Sequence, residues 1–161
     1  MTATTLHPEQ LQAMLPYRNE NIISRFTDLL DVSTEEAEDI FEETKKFLYL
    51  CQLPDIFISD DLLIIDEMWH NFILFTKEYH RFCLQHFERY FHHLPASKQE
   101  KEAATQKMLQ DPIASKEAFN NKMRHLMGAT YDQLGEATVV KWFQVYPEQY
   151  SRSKIFALRK R

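Results

Sequence analysis

The chain has 161 residues, enough for one domain that buries about 70% of the surface its unfolded form exposes. Hydrophobic residues at 44%, aromatics at 13% and charged residues at 27% give a globular profile and exclude a disordered chain. A formal net charge of −5, from 24 acidic against 19 basic residues, repels polyanions and argues against a nucleic-acid partner.

The first 20 residues are polar, carry Pro8 and Pro16, and lead in through a short helix around Glu9 to Met14. From Asn21, the recurrence of Ile22, Ile23, Phe26, Leu29 and Leu30 predicts a helix. Ser33 to Glu36 has capping-box form and opens another, with Ala37, Ile40, Phe41, Thr44, Phe47, Leu48 and Cys51 as one stripe and Pro54 past its end. Ser59, followed by Asp60 and Asp61, is placed to cap the next element. Leu62, Ile65, Trp69, Phe72, Thr76, Tyr79, Phe82, Cys83, His86 and Tyr90 then keep helical spacing, with a break expected near Phe75 and Thr76. Residues 94–111 read as a solvated helix or ordered linker. Asp111-Pro112 starts a helix expected to end at Gly128, and a last helix follows Gly135 and stops at Pro147.

The expected fold is therefore all-α: a compact single-domain bundle of five to seven helices with a long or broken central helix. Residues 1–20 form the lead-in, 21–150 the domain, and 151–161 a basic tail that reads as a solvated, frayed terminus. Trp69, Phe72, Tyr79, Phe82, Phe119, Trp142 and Phe143 are the expected core aromatics. Only Gly128 and Gly135 are present, which excludes a glycine-rich nucleotide-binding loop. Cys51 and Cys83 sit inside apolar patterns, not in a spaced framework, which argues against disulfides. No apolar run is long enough for a membrane span and no leader pattern opens the chain, so the expected location is cytoplasmic.

Five of the seven histidines, His70, His80, His86, His92 and His93, fall between positions 70 and 93, where an even spread would put about one. Asp66 and His70 lie one helical turn apart and share a face. His92 and His93 follow where the chain must leave its helix before Leu94-Pro95, so a returning loop can bring an imidazole back. One carboxylate with two imidazoles suits Zn or non-haem Fe with open positions. Each residue also has a plainer reading: Asp66 as the partner that orients His70, His70 as a hydrogen-bonded structural histidine, His92 and His93 as loop surface. His80 lies about 80° from the His70 direction and reads as exposed; His86 reads as semi-buried packing and Cys83 as core. Glu67 and Tyr79 are the nearest candidates for a general base or acid.

At Asp66-Glu67-Met68-Trp69-His70, with Ile73-Leu74-Phe75-Thr76, Tyr79, Phe82-Cys83 and Phe91-His92-His93-Leu94-Pro95 after it, the chain resembles the glycine-rich-domain-containing-protein-like family. That family pairs an Asp-x-x-Trp-His motif with a later aromatic-His-His-x-Pro motif. Tyr131 to Gly135 and residues 142–150 look like the C-terminal block of its small bacterial members, so the resemblance spans about 60–150. Phe72 stands where many larger members carry a second histidine, and Glu88 where a glycine often precedes the histidine pair. The resemblance implies a fold and a shortlist: Asp66, Trp69, His70, His92, His93 and Pro95, with Tyr79 and Cys83 as further motif residues. With no strong catalytic motif, the expected function is a non-catalytic binding or accessory protein, acting on another protein, whose histidines knit helix to loop. The alternative is a metal-binding protein or metal-dependent enzyme that holds a divalent ion, Zn first, on Asp66, His70, His92 and His93.

Overall fold

The computed structural model describes residues 5–160; Met1 to Thr4 of the lead-in and Arg161 of the tail lie outside the described residues. Asn19 accepts hydrogen bonds from the Asn21 and Ile22 amides and starts α2 (Glu20–Leu29), which follows the short α1 (Pro8–Met14). Ser33 accepts from the Glu36 amide to cap α3 (Thr34–Leu50), whose stripe from Ala37 to Leu48 is buried. A 3₁₀ turn (Asp60–Leu62) leads into α4 (Leu63–Leu74); Ser59 stands before it, but its hydroxyl caps no amide. Phe75, at φ −84° and ψ 69°, breaks the central run where expected, and α5 (Thr76–Phe87) continues beyond it.

The C-terminal half consists of α6 (Lys98–Gln110), α7 (Pro112–Leu134), α8 over residues 136–149 and α9 (Arg152–Leu158). The described residues thus form nine helices and no strand, two more helices than the expected upper count. The helix with no counterpart in the sequence reading is α9, seven residues within the segment expected as a frayed tail. Helix α3 is the central element, packed by α2, α4 and α7. Among the described residues, no helix is long and apolar enough to cross a membrane.

Several sequence expectations are corrected by the packing. Gly128 does not end α7: it is exposed and helical, and the helix continues through Leu134 to Gly135, which takes φ 93° as the cap. Pro147 does not end α8 either. A π-helical turn (Lys141–Val145) precedes it, and Pro147 sits in the first turn of the α-helical segment Tyr146–Gln149. A widened turn relieves the clash of the proline ring with the carbonyl behind it. Phe119 is 54% exposed, because the first half of α7 stands beside α6, which buries no residue at all. Trp69, Phe72, Tyr79, Phe82 and Trp142 are buried, and Phe143 packs partly buried against them.

The C-terminal segment is tied back. Ile155 is buried, the Asp31 amide donates to the Leu158 carbonyl at 2.7 Å, and Leu30 pairs with Arg159 in an isolated antiparallel bridge. The Arg159 guanidinium meets the Glu67 carboxylate on α4.

Candidate functional site

Helix α4 places Asp66 and His70 one turn apart, with the His70 Nδ1 3.7 Å from the Asp66 Oδ2. The second imidazole arrives by a different route. Helix α5 ends at Glu88, held in the left-handed region at φ 58°, and the chain turns back over α4. Arg89 anchors this return by donating to the Gln52 carbonyl at 3.3 Å and lying 4.7 Å from the Phe91 ring. His93 then reaches Asp66 with its Nε2 2.6 Å from Oδ1. An ionised carboxylate only accepts, so Nε2 carries the proton and donates.

The His93 ring is sandwiched. It stacks on the Trp69 indole at 4.1 Å between centroids and 8° between planes, and the His70 ring lies 4.4 Å from it on a 30° tilt. One ligand atom from each of Asp66, His70 and His93 falls within 4.8 Å of the others, with Asp66 and His93 half-buried and His70 exposed. Two ligand atoms bound to a tetrahedral Zn stand roughly 3.3 Å apart, as bond lengths of ~2.0–2.1 Å require. The contacts to the two Asp66 oxygens, 2.6 Å from His93 to Oδ1 and 3.7 Å from His70 to Oδ2, lie on either side of that value.

The other shortlisted residues are placed elsewhere. His92 is exposed and lies edge-on to Tyr90, at 4.7 Å, outside the three-residue group. Pro95 is exposed in the loop before α6. His80 is exposed against Tyr90, and His86 is half-buried beside Phe82, where burial pushes its pKa below the usual value. Cys51 and Cys83 are free thiols; burial raises the pKa of Cys83, which suits a core residue and not a nucleophile. His70 departs from the structural-histidine expectation: its side chain is 59% exposed, because Asp66 and His70 lie along the solvent edge of α4.

Neither candidate acid or base is free. Glu67 is engaged by Arg159. Tyr79 is fully buried, accepts from the Trp69 Nε1–H at 3.0 Å and donates to the Phe91 carbonyl at 2.6 Å, and burial drives its pKa upward. Sequence reasoning missed this tie. Its one available signal was that a buried Trp N–H and Tyr O–H must each find a partner. A cleft of about 710 Å³ lies apart from the triad, between α2 and α3, with Tyr17, Glu38, Phe41 and Lys45 among its walls.

The model of the UCP032817-like family matches residues 13–133, three quarters of the chain and all three triad residues. The chain belongs to the UCP032817-like family. This overturns the resemblance to the glycine-rich-domain-containing-protein-like family: a pair of short aromatic-histidine motifs suggested that kinship, whereas the matched span runs from α1 to the end of α7. No curated protein and no solved structure matches the chain. The weight therefore rests on the geometry of this UCP032817-like chain itself.

Proposed function

We propose that this UCP032817-like protein binds a divalent metal ion through Asp66, His70 and His93. The supporting observation is the convergence of a carboxylate and two imidazoles, from α4 and the loop after α5, to within 4.8 Å. Two nitrogens and one oxygen suit Zn first and non-haem Fe second, and three protein ligands leave coordination positions for water or substrate. His92 is not among the ligands. Two free cysteines agree with a reducing, cytoplasmic setting, and the acidic balance favours a protein over a nucleic acid among macromolecular partners.

The test is elemental analysis of protein purified without a His tag, followed by titration with Zn, Fe, Mn and Cu. The expected result is one ion per chain, lost in His70→Ala and in His93→Ala but kept in His92→Ala. Free metal at 100 times its Kd should add about 2.7 kcal/mol of stability, read as a rise in Tm that a chelator reverses. A metal-free parent that takes up none of these ions overturns the proposal. One observation favours a second reading, a non-catalytic accessory protein: His93 is already held by Asp66 and Trp69 without an ion, so the cluster can serve to knit loop to helix. In that case chelation leaves Tm unchanged.

A further inference from the structure

Three links run from the buried core to His93. The Trp69 Nε1–H donates to the Tyr79 hydroxyl at 3.0 Å. That hydroxyl donates in turn to the Phe91 carbonyl at 2.6 Å, two residues before His93. The same Trp69 indole then forms the floor on which the His93 ring stacks, at 4.1 Å. The closed path joins α4, α5 and the loop: Trp69 orients Tyr79, Tyr79 fixes the loop backbone, and the loop returns its imidazole onto Trp69.

The supports of Tyr79 are themselves rigid. Its ring packs edge-on against Phe72 at 5.0 Å and Tyr90 at 5.2 Å, and none of the side chain is exposed. A fully buried hydroxyl with both donor and acceptor roles filled has one stable orientation, so it fixes the carbonyl it holds.

We infer that Tyr79, through Trp69 and the Phe91 carbonyl, is the positioning residue that aims the His93 imidazole at Asp66. The aim of Nε2 at the carboxylate is observed without an ion; the further consequence, that Tyr79 sets metal affinity, rests on the metal-binding reading above. Partners of this kind tune ligand groups by orienting them, and their loss typically costs 10–100-fold in affinity.

The test uses the full chain with Tyr79→Phe, which removes one oxygen and keeps the ring packing. Trp69→Phe is the second variant, keeping a ring under His93 but removing the N–H that orients Tyr79. Ile155→Ala, a buried change in α9, controls for general destabilisation. The first readout is taken without metal: the Nε2–H resonance of His93 in ¹⁵N-edited imidazole spectra and its protection from solvent exchange. Tyr79→Phe and Trp69→Phe should each lower that protection at least tenfold. Ile155→Ala should leave it unmoved, and so should the imidazole of His125, which has its own bond to the Pro54 carbonyl. The second readout is affinity for Zn, with Co(II) as spectroscopic reporter: Tyr79→Phe should weaken binding about 10–100-fold and alter the Co(II) visible bands. A folded Tyr79→Phe protein with parental exchange protection overturns the inference. So does a loss of protection that Ile155→Ala reproduces. A parent that binds no metal removes the affinity consequence and overturns the proposed function, while the metal-free readout still decides whether Tyr79 aims His93.

Discussion

His70 and His93 both address Asp66, yet they differ in what else holds them. The His93 side chain is 15% exposed, stacked on Trp69 and hydrogen-bonded at 2.6 Å, whereas that of His70 is 59% exposed and 3.7 Å from its carboxylate oxygen. Removing a half-buried, bonded group strands its partner, and His93→Ala should cost about 1–3 kcal/mol in urea unfolding. His70→Ala removes an exposed group and should stay within about 0.5 kcal/mol. A ligand role makes both residues equally necessary for metal, so the pair separates the two properties. Equal stability costs in metal-free protein would refute the asymmetry. In the sequence, His92 and His93 are adjacent and equivalent; nothing local shows which one turns inward. The choice is made by the loop backbone, which Tyr79 holds through the Phe91 carbonyl, a contact between groups twelve positions apart.

At the scale of elements, periodicity and capping chemistry were legible because they are local. Ser33 caps α3, the Asp111 side chain accepts from the Ala114 amide at the start of α7, and the central helix breaks at Phe75, all as the sequence pattern implies. The ends of α7 and α8 were not, because a glycine or proline signals a stop only when nothing compensates. Gly128 has open space around a Cβ and sits mid-helix, whereas Gly135 holds φ 93° at the cap. Gly128→Ala should therefore stabilise the protein by about 0.5–1 kcal/mol, by removing the entropy that glycine loses in a helix. Gly135→Ala should destabilise it by about 1 kcal/mol or more, since a Cβ is strained at that φ. Thermal unfolding of the two variants reads opposite shifts; shifts of the same sign would contradict the placement of the α7 terminus.

For the molecule as a whole, the tertiary ties that close the fold were invisible in composition. The basic tail pairs with α4 and the end of α2, and buried charges lie beside the apolar stripe of α3. Lys45 is the clearest of these, 3% exposed on α3, with its ammonium donating to the Leu15 and Tyr17 carbonyls just beyond α1. Burial strips water from the charged form and lowers its pKa from 10.5 to about 8, with Glu42 opposing the shift. A neutral amine still has two N–H groups for the two carbonyls, so deprotonation need not break the tie. Between pH 8 and 10.5 the unfolded chain then binds a proton that the native chain has released, and stability should rise with pH. The expected gain is about 1–2 kcal/mol from pH 8 to pH 10. Above pH 10 the sign reverses, because burial raises the pKa of Tyr79, Tyr146 and Tyr150, and the unfolded chain ionises them first. Urea unfolding of the parent and of Lys45→Met across pH 7–10 checks this. The variant should be less stable at every pH, because two carbonyls lose their donor, so the slope carries the information and not the offset. A parent curve that climbs more steeply than that of Lys45→Met from pH 8 to 10 supports a lowered lysine pKa; parallel curves would show that the ammonium keeps its ordinary proton affinity in the fold.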